Sequence, residues 1–357
     1  MNNLLESALE LLEVDEEENL SRAFQVIRIQ RRIFRSRKNW FDILNNKEFQ
    51  ERFRLSKDQF LMVLNKIEIN LAGNVTSRDE DISPCIKMLV SLRFYATGSF
   101  LITCADFCGM SKVSAERTVH KVSPLIAALS NEFIRFPVEP NEILKIQQGN
   151  FEKSGFIRVL GAIDCTHIRI QSYGGNNSEA YRNRKSFFSI NVQAIANSKL
   201  QIMDLVVRSP GSAHDSTIFD NSRIKARFDG GEFKNGLLLG DAGYRNLPYL
   251  LTPLQNPTTP AESLYNEAQI RTRCIIERCF GVWKRTFAVF SIGSRFRKVE
   301  RTLSVIVATE VLHNIRRSSS IQDLDHINVV KEESDNFLHT DERRYLIDNY
   351  FQNMIEN

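Results

Sequence analysis

The sequence predicts an α/β domain preceded by an all-α domain, and three observations carry that prediction. Residues 156–167 form a short apolar, β-branched-rich run after the turn-prone Ser154-Gly155, which reads as a buried strand. Residues 237–239 repeat the theme, an apolar run closed by Gly240-Asp241. Helix starts stand at Ser83-Pro84 and at Thr259-Pro260-Ala261-Glu262, where a capping side chain precedes a proline suited to the first helical turn. The first strand holds a carboxylate, Asp164, and an unpaired charge is costly to bury. Asp164 is therefore either a turn-capping acid or one that is paired, protonated or bound to metal.

Length and composition bound the answer. At 357 residues the chain exceeds one typical domain. With 42% hydrophobic and 25% charged residues it can bury a sizeable core. A net charge of +4 is only mildly basic, so a nucleic-acid surface has to come from local patches. Cys85, Cys104, Cys108, Cys165, Cys274 and Cys279 form neither a CxxC pair nor a disulfide framework, and they read as buried thiols in a reducing compartment. With no long apolar run and no secretory signal, neither a membrane span nor export is expected.

Residues 1–75 read as an N-terminal helical extension. An acidic amphipathic stretch over 1–19 gives way to a basic one over 22–38, where Arg22, Arg28, Arg31, Arg32 and Arg35 interleave with apolar residues. Such a cluster either contacts phosphates or directs nuclear import, or it is a solvated helix face. A further helix is expected over 47–71. Residues 76–145 hold the second informative block. After a helix from Pro84 to Gly98, Ala105 to Ser111 resembles the turn of a helix-turn-helix: Ala105 permits close approach, Gly109 the sharp turn, and Ser111 caps the next helix. That helix presents Lys112, Arg117 and Lys121, with Val113, Val119 and Val122 free to face inward. It is either a DNA-reading helix or part of a plain three-helix bundle. Phe136-Pro137-Val138-Glu139-Pro140 lies in a link that marks the domain boundary.

Residues 146–317 then form the α/β domain. Residues 191–195 and 202–207 are β-prone, with a hairpin turn at Asn197-Ser198-Lys199. The preceding loop carries Arg182, Arg184 and Lys185. Asp215 opens a helix, where a first-turn acid suits the helix dipole, and it is also placed to act around the site. Thr259 and Glu262 form a capping box. The helix they start carries Ile276, Phe280, Trp283 and Phe287 on one face, with Glu277 beside that stripe and Arg273 and Lys284 on the same side. Glu277 is either a metal ligand near phosphates or half of an ion pair with Arg273. Residues 318–357 form an acidic tail ending in a short helix.

Two strand acids and a later helical Glu, on an α/β chain, is the layout of RNase H-like nucleases. Cleaving a phosphodiester requires an activated nucleophile and a neutralised leaving alkoxide, and two Mg²⁺ or Mn²⁺ ions about 3.5–4 Å apart supply both. Hard ions need oxygen ligands. Asp164, Asp241 and Glu277 are thus the catalytic and metal-ligand candidates. Lys112, Arg117, Lys121, Arg182, Arg184, Lys185, Arg273 and Lys284 are the DNA-contact candidates.

The chain resembles the Harbinger-type transposases and the nucleases derived from them. The residues that carry the resemblance are 94–100, Phe133-Ile134-Arg135-Phe136-Pro137, residues 161–167, Asn183-Arg184-Lys185, Ser209-Pro210-Gly211-Ser212, Leu239-Gly240-Asp241 and Leu312-His313-Asn314. It covers roughly residues 50–317. It implies an RNase H-like DDE catalytic domain with Asp164, Asp241 and Glu277 as the acids, a divalent cation, a DNA substrate, a nuclear protein with the cytoplasm as second compartment, and a Myb/SANT-like partner protein. A homo-oligomer is compatible with it. Two other readings stand beside the nuclease: a catalytically silent DNA- or chromatin-binding protein on the same fold, and a haloacid-dehalogenase-like phosphotransferase. The last normally needs a second Asp two positions after the nucleophile, where this chain has Thr166.

Overall fold

The computed structural model describes residues 37–72, 82–175, 177–318 and 341–356. The helices read in the basic and acidic N-terminal stretches, and the tail up to residue 340, lie outside these. The described residues from Asn39 onward belong to one compact unit.

The helical part runs through α1 (Trp40–Ile43), α2 (Asn46–Phe53), α3 (Lys57–Ala72), α4 (Pro84–Thr97), α5 (Leu101–Cys108) and α6 (Lys112–Ala127). The helix expected over 47–71 is broken at Arg54, which adopts the left-handed conformation (φ 69°) and ends α2. The α4–α5–α6 segment follows its sequence signals. Ser83 accepts a hydrogen bond from Ile86 N, Gly98 ends α4 with φ 61°, Gly109 ends α5 with φ 69°, and Ser111 caps α6. Ala115, Val119 and Val122 are buried, but Val113 is 56% exposed, because at helical spacing it lies on the side opposite that buried stripe.

The expected link after α6 holds a helix of its own, α7 (Pro140–Ser154), with Pro140 in its first turn. The prolines that suggested a boundary mark a helix start. Five strands follow: β1 (Val159–Arg169), β2 (Ser189–Ala196), β3 (Ile202–Pro210), β4 (Leu237–Leu239) and β5 (Leu250–Leu251), in the order β3-β2-β1-β4-β5. β1, β2 and β3 are antiparallel neighbours, while β4 and β5 join β1 in parallel. This is an RNase H-like sheet. Gly161 lets β1 and β2 approach: a Cβ there would fall 2.7 Å from Ile195 Cγ2. Short helices α8 (Asp215–Asp220) and α9 (Arg223–Asp229) cover one face, and the long α10 (Pro260–Thr286) and α11 (Val299–Ser318) cover the other.

α10 is started by the Thr259–Glu262 capping box, with both reciprocal bonds formed. α11 packs on α6 as well as on the sheet side. One hydrophobic cluster therefore contains Phe60 and Val119 of the helical part together with Val192, Trp283 and Leu312 of the α/β part. The boundary read near residue 145 falls inside α7, and the helical and α/β parts share one core. The last helical turns, residues 342–356, bury Leu346, Ile347 and Phe351 against Phe156 and Tyr265, and the Glu342 carboxylate, itself fully buried, pairs with Arg158. Among the described residues no helix is long and apolar enough to cross a membrane.

A candidate metal centre at the end of the central strands

β1 continues past the end of β4. β4 pairs with β1 only as far as Ala162, and the chain then turns away through Gly240-Asp241. Asp164 sits in the opening this leaves, and Asp241 stands on its edge. Each is held by its own backbone surroundings. Asp164 Oδ1 accepts from Cys165 N (2.7 Å), and Asp241 Oδ1 accepts from Gly243 N (2.9 Å), a local turn that fixes the carboxylate. Gln269 of α10 donates to the Gly240 carbonyl (2.7 Å), so the long helix also braces the loop that carries Asp241.

A third carboxylate joins them. Asp164, Asp215 and Asp241 each offer an oxygen within 4.8 Å of the others. Asp215 arrives from the start of α8, and Asn191 of β2 orients it, donating from Nδ2 to Asp215 Oδ1 (3.0 Å) and to Ala213 O (3.1 Å). The Ser-Pro-Gly-Ser stretch delivers the chain to this point: a Cβ at Gly211 would overlap the Ser189 hydroxyl and the Tyr181 carbonyl, so only glycine allows that close pass. Asp215 carried a sequence signal, an acid in the first turn of a helix near the site. Its membership of the cluster follows from the β2–Asp215 bond, which joins residues distant in sequence.

Glu277 lies beside this cluster rather than within it. Its side chain is 49% exposed and pairs with Arg273 (2.6 Å), whose same Nη1 stands 3.6 Å from Asp164 Oδ2. The geometry has the ion-pair arrangement: Glu277 is the i,i+4 partner of Arg273, and the same arginine also approaches Asp164. Burial, above all, raises the Asp164 carboxyl to about 6. The Cys165 N–H lowers it, and the Asp241 and Asp215 charges raise it against the opposing pull of Arg273. Three mutually repelling carboxylates with one nearby guanidinium form a site short of positive charge.

The cations fall into two groups. Asp215 raises His167, while Lys284, Lys185 and Arg184 lower it, after burial; all four charges therefore stand around the same strand end. Lys185 is exposed, and Arg184 contacts His214. Lys284 does not reach outward. Its Nζ donates to Thr166 Oγ1 (2.6 Å) and to the His167 carbonyl (3.1 Å), tying α10 to β1, and burial lowers its pKa to about 8. Arg182 is engaged with Glu179 and lies over the Phe188 ring. On α6, Lys112 and Arg117 are exposed, while Lys121 Nζ donates to the Leu71 carbonyl (2.8 Å) at the end of α3.

A family model described as "DDE superfamily endonuclease" matches residues 163–314, a span that opens next to Asp164 and closes on Asn314. The chain is 32% identical over 242 residues to the human protein named "Putative nuclease HARBI1", covering 67% of this chain and 69% of that one. It is 30% identical to the Bos taurus protein of the same name, over 72% and 74% of the two chains. It is 23% identical to an Arabidopsis thaliana protein named "Protein ALP1-like", over 78% and 73%. No solved structure matches significantly. The chain belongs to the Harbinger transposase-derived nuclease family, whose catalytic domain is a DDE superfamily endonuclease domain.

Proposed function

We propose that the protein is a DNA endonuclease that works with divalent metal ions, and that Asp164, Asp215 and Asp241 hold the metal with Glu277 alongside. The observation that carries this is the convergence of three carboxylates, from β1, the start of α8 and the loop after β4, in a chain of a nuclease family. The donor set fits Mg²⁺ or Mn²⁺: it is all oxygen, anionic and spaced for a shared cation. Bound there, such ions activate the attacking oxygen and neutralise the departing one. The chain's own residues do the positioning. Cys165 N–H fixes one Asp164 oxygen, Asn191 fixes Asp215, and the turn at Gly243 fixes Asp241. Arg273 holds Glu277 next to Asp164 in the metal-free chain. Arg184 and Lys185 give the strand end a positive rim suited to phosphates, with Lys112 and Arg117 on α6 as a second DNA contact.

A DNA substrate supports a nuclear location, and the family resemblance alone supports a Myb/SANT-like protein as the partner we propose. The test is cleavage of supercoiled plasmid by the purified full chain. Nicking with Mn²⁺, absent in EDTA and in Asp164→Ala, supports the proposal. Salt-sensitive DNA binding without cutting, in every metal tried, refutes it in favour of a catalytically silent DNA-binding protein.

A further inference from the structure

We infer that a cavity lined by Arg54, Arg285, Arg316 and Arg317, away from the acidic cluster, is a binding site for a phosphate-bearing anion. The cavity measures 460 Å³, and among the described residues no Asp or Glu lines it. Its other polar walls are Thr286 and His313. His313 adds no charge: burial lowers its pKa to about 4, and its Nε2 donates to the Leu200 carbonyl (2.8 Å).

The arginines come from three separate stretches of chain, the end of α2, the end of α10 and the end of α11. Arg285 follows Glu277 by two turns of one helix, a rise of about 12 Å. The simplest alternative is that these cations only complement helix C-termini. Magnitudes argue against it. Three helix ends supply about −1.5 charge in all, each near −0.5. Four guanidiniums face them. Burial and then the charges of Arg54 and Arg317 hold Arg316 below its usual value, so the cluster repels itself. Arg52 and Arg54 act on Arg93 in the same way, which extends the positive region beyond the cavity.

The bonds the arginines already make leave donors over. Arg317 Nε donates to the Lys199 carbonyl (3.0 Å), Arg316 Nη1 to Thr286 Oγ1 (2.9 Å) and Arg54 Nη1 to the Glu51 carbonyl (2.8 Å). Arg54 Nε is buried without a partner among the described residues. These contacts orient the guanidiniums, and Arg54 and Arg317, together with the exposed Arg285, retain further N–H groups in the planar fork that matches phosphate oxygens. An anion there would relieve the mutual repulsion and satisfy those donors together. The phosphate can belong to a DNA backbone or to a free polyphosphate. The inference stands on these arginines and does not require the nuclease reading.

The experiment uses the metal-free full chain, as wild type, as the double variant Arg285→Gln/Arg317→Gln, and as Arg285→Gln alone. Arg285 is exposed, so the single variant tests the cavity even if the double variant folds poorly. Thermal melting is followed with inorganic tripolyphosphate, and anisotropy of a labelled DNA duplex is followed across salt. Wild type is expected to gain melting temperature with tripolyphosphate, the single variant to gain less and the double variant almost nothing. If the site takes DNA, the double variant also binds duplex at least tenfold more weakly, and its salt slope flattens by about 2. If it takes a free polyphosphate, duplex binding stays unchanged while the tripolyphosphate response is lost. Equal tripolyphosphate shifts in all three proteins overturn the inference and leave the arginines as helix-end cations.

Discussion

Replacing Glu310 by Gln isolates one proton in the core. Glu310 lies on α11, fully buried, and neither carboxylate oxygen has a hydrogen-bond partner among the described residues. Burial raises its carboxyl well above the ordinary range, and the Lys284 charge only partly offsets this. The folded state therefore holds the proton more tightly than the unfolded state does. Stability is fully present below the unfolded value near 4.3 and is lost as pH rises toward the folded value. One such proton is worth about 1.4 kcal/mol per pH unit. Gln has nearly the same shape and the same lack of partners but does not titrate. As pH rises above 5, wild type should lose up to about 1.4 kcal/mol per pH unit relative to Glu310→Gln, until the folded carboxyl itself ionises. Other raised carboxyls, Asp164 and Asp204, titrate in both proteins and cancel in the difference. Urea unfolding of both metal-free proteins at pH 5, 6 and 7 measures it. A difference that stays flat, or wild type being the more stable at pH 7, would mean that Glu310 is ionised and paired with Lys284, and the reasoning fails.

Three further outcomes are expected. Mg²⁺ or Mn²⁺ should raise the melting midpoint of wild type and do markedly less for Asp215→Asn, because a ligand that binds only the folded state stabilises it by mass action; equal shifts would remove Asp215 from the site. Arg117→Ala should weaken duplex binding and flatten its salt slope, whereas Lys121→Ala should chiefly cost about 1 kcal/mol of stability, since its ammonium serves the Leu71 carbonyl; the reverse pattern in anisotropy and urea unfolding would contradict this. Asn314→Ala should lose about 3 kcal/mol in urea unfolding, because that side chain bonds Ile202 N, the Ile202 carbonyl and the Phe133 carbonyl in one place; a loss under 1 kcal/mol would make these bonds incidental.

Local signals survived folding best. Ser83, Gly98, Gly109, Ser111 and the Thr259–Glu262 box all do what their types suggest, because a cap is decided within four residues. The strand acids Asp164 and Asp241 were legible for a related reason: a carboxylate in or closing an apolar run stands out against the cost of burying it. What the sequence withheld depends on contacts across the chain. Asp215 looked like a helix-start acid until β2 brought Asn191 against it. Lys284 and Lys121 looked like free cations, but one is tied to β1 and the other to the end of α3. The Leu-His-Asn motif was readable only as a family resemblance; in the fold, His313 and Asn314 pin α11 to the β2–β3 hairpin and to Phe133. Pro137 and Pro140 suggested a boundary, but α11 spans both halves and merges their cores.

The central claim is that Asp164, Asp215 and Asp241 make one metal centre. An anomalous difference map from crystals of the protein grown with Mn²⁺ tests it most directly. The account predicts a peak within about 2.0–2.6 Å of oxygens from all three aspartates, the range of hard-cation ligands. A fully occupied Mn²⁺ elsewhere on the chain, with no peak among these three carboxylates, would contradict it.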